Sequence, residues 1–121
     1  MAAPNLVNVT TITAKSLQGA LTTTLTTEFL ANAAASGKVY KVNNILVANI
    51  DGTNSADASV FITKSGGSPI AIASTIAVPA DSTLTVIDKN TAIYLEEGDN
   101  IEAGASADSD LVITINYEEL S

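Results

Sequence analysis

From Val78 onward the chain repeats one cadence: a short run alternating apolar and polar residues, a turn bearing an acid or a glycine, then another run. Val78-Pro-Ala-Asp-Ser-Thr-Leu-Thr-Val is followed by Ile93-Tyr-Leu-Glu-Glu-Gly-Asp-Asn-Ile, and later by Leu111-Val-Ile-Thr-Ile-Asn-Tyr-Glu-Glu. A period of two sets alternate side chains on the same face of a strand. Strands this short, spaced about every 8–12 residues with turns between them, build antiparallel sandwiches or small barrels. The same residues leave little room for chemistry.

The pattern extends upstream. Val39 to Asn49 has apolar residues on both faces, which suits a strand buried on both sides or broken by a bulge. Asp51-Gly-Thr-Asn reads as a turn. Ala56, Ala58, Val60 and Ile62 then alternate with Asp57, Ser59, Phe61 and Thr63, a half-buried strand with Phe61 on its outer face. Ser65-Gly-Gly-Ser-Pro is a loop, since paired glycines supply the positive φ of tight turns. Ile70 and Ile72 lead into Ile76 and Val78, and Pro79-Ala-Asp-Ser turns the chain again. Glu96-Glu-Gly-Asp makes the turn into Ile101-Glu-Ala-Gly-Ala. The expected fold is all-β: a single-domain antiparallel β-sandwich, jelly-roll-like, with about eight to ten strands and no long helix. Its core is expected to hold Val60, Ile62, Leu84, Val86, Ile93, Leu95, Ile101, Leu111, Ile113 and Ile115, the apolar faces of the clearest period-two runs.

Residues 1–36 differ, being rich in Thr, Ala and Asn and poor in charge. Leu6 to Ile12 and Leu21 to Leu30 both suit strands, because β-branched Thr fits a pleated surface. Gln18-Gly19 reads as a turn between them, and Ala31 to Ala35 as a helical turn that Gly37 stops. The loose apolar period specifies register weakly, so two readings stay open: edge strands within the domain, or an extended arm docked on a neighbouring subunit. With 121 residues the chain is one domain overall, 1–36 forming the Thr/Ala-rich arm or edge strands and 37–121 the sandwich core. The candidates for subunit or partner contact are Leu6, Val7, Val9, Ile12, Leu21, Leu25, Phe29 and Leu30, from a stretch whose uncharged Thr and Leu can add strands to a neighbouring edge.

Composition narrows function mainly by exclusion. Two Phe, three Tyr and no Trp leave a modest core of small aliphatic residues, and a subunit interface is one way to add burial. Five Lys and no Arg against thirteen carboxylates give a net charge of −8, which disfavours nucleic acid and anionic membranes as partners. Without His or Cys the commonest general base and the strongest nucleophile are missing, and Cys-based zinc sites and disulfides are excluded. Lys15-Ser16 and Lys64-Ser65 are sequence neighbours, which point apart on a strand. Carboxylate pairs of the glycosidase kind are conceivable, yet nearly all the acids fall at turns or on outer faces. No catalytic residue and no cofactor is assigned.

Calcium is the more serious chemical option, since Glu96, Glu97, Asp99 and Glu102 lie close in sequence and Asp108 and Asp110 form an Asp-x-Asp pair. Their spacing fits no EF-hand loop, and acidic turns keep strand ends soluble, so these acids are expected to face solvent and no metal ligand is assigned. Tyr40, Phe61, Tyr94 and Tyr117 are too few and too scattered for a sugar-binding platform. Met1-Ala-Ala-Pro-Asn lacks the charged and apolar regions of a secretory signal, and no apolar run approaches the ~20 residues of a membrane helix. The product is expected in the cytoplasm where it is made.

Val39-Tyr-Lys-Val-Asn-Asn-Ile-Leu-Val-Ala-Asn-Ile-Asp-Gly-Thr-Asn, Val78-Pro-Ala-Asp-Ser-Thr-Leu, Tyr94-Leu-Glu-Glu-Gly-Asp and Asn116-Tyr-Glu-Glu together resemble small virion structural proteins of tailed bacteriophages, particularly marine and cyanobacterial ones. The resemblance covers roughly residues 38–119. It implies attachment to the outside of a capsid, or to the neck and tail, by an oligomer, and carries no catalytic residues. On that resemblance the expected role is a capsid decoration (cement) protein that binds and stabilises the assembled head. It would be made in the host cytoplasm and located in the virion. Its partners would be the major capsid protein or other virion proteins, with further copies of itself in a homo-oligomer. A trimer is favoured because three-fold positions recur on icosahedral shells. The alternatives are a neck, tail or fibre component, or a ligand-binding β-sandwich module.

Overall fold

The computed structural model describes residues 6–121. Met1–Asn5, which include the stretch read for a signal and the start of the N-terminal region, lie outside the described residues. Nine strands follow in order among the described residues: β1 (Ile12–Ala20), β2 (Thr27–Ala31), β3 (Val39–Asn49), β4 (Ala56–Thr63), β5 (Ile70–Val78), β6 (Thr83–Ile87), β7 (Ile93–Leu95), β8 (Asn100–Ala105) and β9 (Leu111–Leu120). Short 3₁₀ turns at Leu6–Asn8 and Lys89–Thr91 are the helical elements among them. No helix of the described residues is long and apolar enough to cross a membrane.

The strands form two antiparallel sheets packed face to face. One runs β1-β9-β3-β6, with β7 also paired to β3; the other runs β2-β8-β4-β5. Successive pairs nest around the β4–β5 connection: β4 with β5, β3 with β6, β2 with β8, β1 with β9. The chain is therefore a long hairpin folded over on itself. Pairing of β9 with β3 and of β8 with β4 closes the wrap.

β3 shows why a run can be apolar on both faces. Its register against β9 shifts between Val42 and Asn44, and against β6 between Ile45 and Leu46. Each extra residue re-aims the following side chains. Val42, Ile45 and Val47 all reach the interior as a result, and none has exposed surface.

The core lies between unlike faces. Val42, Ile45, Val47, Leu111, Ile113 and Ile115 project from the first sheet, whereas the second offers Ala56, Ala58, Ala73, Ala103 and Ala105 among Val60 and Ile101. Of the ten residues expected in the core, Val60, Leu95, Ile101, Leu111, Ile113 and Ile115 are buried, while Ile62, Leu84, Val86 and Ile93 are partly buried against it. Leu21, Leu30, Val78 and Ile87 join them.

The N-terminal third departs from its sequence reading. The first strand spans Ile12–Ala20 instead of Leu6 to Ile12, and the second begins at Thr27 instead of Leu21. Gln18-Gly19 is no turn: Gly19 pairs with Ile113 within β1. A Cβ there would stand 2.7 Å from Cε1 of Phe29, so the glycine makes room for an aromatic ring. Gly104 is more restrictive, since its Cβ would meet Cα of Leu25 at 2.3 Å, and backbone cannot swing aside like a side chain. The expected helical turn at Ala31 to Ala35 does not form: Ala31 ends β2, and a non-helical loop follows with Ala35 at φ 60° and Gly37 at φ 73°.

Two substitutions probe this packing. Ile113→Asp places an unpaired charge in the interior and is expected to destabilise the domain by about 3–5 kcal/mol. Gly104→Ala should lower the melting temperature through a clash costing about 1–3 kcal/mol. Thermal melts followed by circular dichroism check both, and unchanged midpoints would contradict the packing described.

Candidate functional site

The structure separates the eight candidate contact residues. Leu6 and Val7 lie in the first 3₁₀ turn and Ile12 opens β1, and all three are exposed, at 52%, 88% and 62%. Val9 is half-buried. Leu25 is also exposed, on the loop that crosses Gly104. In contrast, Leu21 and Leu30 are buried in this chain's own core and Phe29 packs against it. These three leave the contact set, because they already hold the two sheets together.

β1 sets the distance between the exposed members. Ile12 pairs with Leu120 at one end of β9, while Ala20 pairs with Val112 near the other. At about 3.3 Å per residue, the Leu6–Ile12 group and Leu25 are on the order of 25 Å apart. The first group is tied down just behind Leu6 and Val7: Thr10 and Thr11 donate their N–H groups to the Ser121 carbonyl at 2.8 and 2.9 Å. What remains exposed is Leu6 and Val7 in the first 3₁₀ turn and Ile12 at the start of β1, which is the end strand of its sheet among the described residues.

The acidic turn at Glu96 to Asp99 does not simply face solvent. Asp99 is buried, and its carboxylate accepts from the Glu96 N–H at 2.8 Å, the Ser65 N–H at 3.0 Å and the Lys64 ammonium at 2.5 Å. Burial pushes its carboxyl up, but the Lys64 ammonium and the two N–H donors outweigh that and hold it below the ordinary aspartate range. Gly98, at φ 88°, lets this turn approach, since a Cβ would stand 2.6 Å from Ser65 Oγ. Asn32 completes the clasp from the β2–β3 loop. It donates its N–H to the Asp99 carbonyl and its side-chain amide to the carbonyls of Lys38 and Leu95, at 2.8 and 3.0 Å. Glu97 accepts from the Gly37 N–H at 3.0 Å.

A second charged group sits where β1, β9 and β3 adjoin. The Glu119 carboxylate, nearly buried, lies 3.0 Å from the Lys15 ammonium and 3.1 Å from that of Lys38. Tyr40 and Tyr117, scattered in sequence, stack beside it with ring centroids 5.3 Å apart. Both rings also pack on the core, so they are not a free platform. Burial pushes the Glu119 carboxyl up, and hydrogen bonds and charge from the two lysines bring it below its usual value. Lys15 and Tyr117 also border a shallow recess, together with Ser16, Asn43, Asn116 and Glu118. Asn43, from the β3 bulge, donates to Glu118 across it at 3.3 Å.

These contacts also decide what the charged groups can do chemically. Lys15 and Lys64 precede Ser16 and Ser65, and the hydrogen bonds they donate to Glu119 and Asp99 raise their pKa values. Asp108 accepts from the Thr23 N–H at 2.9 Å, and Glu102 bonds the Thr63 hydroxyl. Among the described residues no group of three or more acids is placed to hold a metal ion. The chain matches no protein-family model and no curated protein sequence.

Two measurements follow. Asp99 has a lowered folded-state pKa, so its contribution is complete above the unfolded aspartate value of ~3.9 and is lost as pH falls through the folded value. Asp99→Asn should cost about 1–3 kcal/mol at neutral pH and flatten the acid limb of the stability profile. An unchanged acid limb would contradict the clasp. Melting in calcium buffer should give one midpoint with or without excess EDTA, since a metal bound only to the folded state would raise it.

Proposed function

We propose that this chain is a structural subunit of a tailed-phage virion, acting without catalysis, and that it decorates and cements the assembled head. Exposed Leu6 and Ile12, just before and at the start of β1, the end strand of its sheet among the described residues, carry this reading. Such a strand can engage a neighbouring shell subunit by strand addition, with backbone bonds supplying affinity and apolar side chains supplying register. The sequence resemblance to small virion proteins supports the same reading. So does the strand order, in which β1-β9-β3-β6 faces β2-β8-β4-β5 and the folded hairpin nests as in a jelly roll.

In this reading the major capsid protein or another virion protein is the partner, the chain works as a homo-oligomer, with a trimer favoured on the resemblance, and its place is the virion after synthesis in the host cytoplasm. Cementing needs no reaction. A protein that binds only the assembled lattice stabilises it by mass action, and an oligomer multiplies a modest per-site affinity.

Particles lacking the protein should lose resistance to heat and osmotic shock, and adding the purified chain should restore it. Leu6→Asp with Ile12→Asp should weaken particle binding at least about tenfold while leaving the melting temperature within a few degrees, because both side chains are exposed. Point substitutions are the cleaner test, because deleting residues 1–30 would also remove β1 and the core residues Leu21 and Leu30. Particles equally robust without the protein would refute the cementing role. Only a few copies per virion would assign it to the neck, tail or fibre instead.

A further inference from the structure

Between Ser65 and Ile87 the chain carries one charged residue, Asp81, although thirteen carboxylates and five lysines are spread over the whole sequence. That segment supplies β5 and β6, the terminal strands of the two sheets, which touch each other along the same side of the sandwich. Three large aliphatic side chains stand exposed on β5: Ile70 at 69%, and Ile72 and Ile76 at 40% each. The opposite edges differ in kind, since β1 presents Lys15 and β2 presents Glu28. One side of the molecule is therefore apolar and free of charge within its strands, on a chain whose net charge is −8.

We propose that this β5–β6 side is a self-association surface whose occupant is a second copy of the chain, related by a rotation axis. Charge selects that occupant. Two copies at −8 repel, and contact through loop ends or outer faces would bring carboxylates together; contact through this side keeps them at the rim. A rotation axis also requires a patch complementary to itself near the axis, and an uncharged aliphatic patch meets that condition without paired charges. A strongly basic or acidic partner would find nothing here to match.

The edge itself limits the mode of contact. Thr75 has φ 51°, unusual for a β-branched residue, and its N–H is taken by Ser59 Oγ at 3.0 Å. Register against β4 shifts between Ala58 and Val60, and again before Phe61. These irregularities break the edge of β5 into short pieces, so no continuous nine-residue ladder can form with another strand. Association is left to the isoleucine side chains, which favours a closed oligomer over edge-to-edge fibres. The surface does not depend on the virion reading and is separate from the Leu6–Ile12 segment.

Sedimentation velocity of the full chain across micromolar concentrations tests the proposal. Wild type should associate reversibly, and Ile72→Glu combined with Ile76→Glu should weaken association at least about tenfold, with the fold checked by circular dichroism. Ile12→Glu, on the far edge, should associate like wild type even if it abolishes particle binding. The chain has no cysteine, so Ser74→Cys adds a second readout that keeps the isoleucines. It should form covalent oligomers with a short bismaleimide, whereas Gln18→Cys on β1 should not. A monomeric wild type, an unchanged double variant, or equal cross-linking at both cysteines would each overturn the proposal.

Discussion

The two sheets depend on a difference in side-chain size across their interface. Ala56, Ala58, Ala103 and Ala105 give the second sheet a shallow inner face, and Ile45, Leu111, Ile113 and Ile115 fill the space from the first. Interiors pack at crystal-like density, so small residues on one face must meet large ones on the other. That complementarity lets a chain with few aromatic residues build a dry core. Gly104 carries it one step further, because the chain backbone at Leu25 occupies the place where its Cβ would stand. Phe29, Tyr40 and Tyr117 pack at the margins of this core instead of filling its centre.

Closing the ends of the sandwich requires polar groups to be buried, and Asn32, Asp99 and Asn49 are each held by contacts to more than one connection. Asn32 and Asp99 join the β2–β3, β4–β5 and β7–β8 connections at one end. At the other, Asn49 donates to the carbonyls of Asn54 and Val78 at 3.0 and 2.9 Å and accepts from the Asp51 N–H at 2.9 Å. A buried amide is costly when left unpaired, so each of these residues fixes the loops that serve it. Asp51 accepts from Thr53 and Asn54 and is held below its usual pKa by those donors, which stiffens the turn next to Asn49.

Much of the fold was legible because period two survives wherever one face is buried. β9 alternates from Leu111 to Asn116 as its sequence says, whereas β4 buries Ala58, Ser59 and Val60 in succession, and the two-faced apolar run of β3 does contain bulges. The N-terminal third was read out of register for a physical reason. Thr and Ala serve either face of a strand, and the glycine of Gln18-Gly19 has the local look of a turn but answers to Phe29, ten residues away. Asp99 departs from its expected solvent-facing place for a similar reason. A turn acid appears solvent-facing until Lys64, distant in sequence, is brought beside it. Of the candidate contacts, local hydrophobicity could not separate exposed Leu6 and Ile12 from buried Leu21 and Leu30, because only the pairing of β1 and β2 decides which side chains turn inward.

The placement of charge then narrows how such a molecule can meet others. Lys15, Lys38 and Lys64 are each held against Glu119 or Asp99, carboxylates with little or no exposed surface. Lys41 and Lys89 are the lysines without a salt bridge among the described residues. Most of the remaining acids stand at turns and loop ends, so those regions project a negative field that extends about 8 Å at physiological salt. Neighbours packed closely on any surface would feel that field unless they met through uncharged patches. The Leu6–Ile12 segment and the β5–β6 side are two such surfaces, and they lie on opposite edges of the first sheet. A chain built this way can hold a partner with one edge and its own copies with the other, leaving the acidic loop ends free to keep the assembly dispersed.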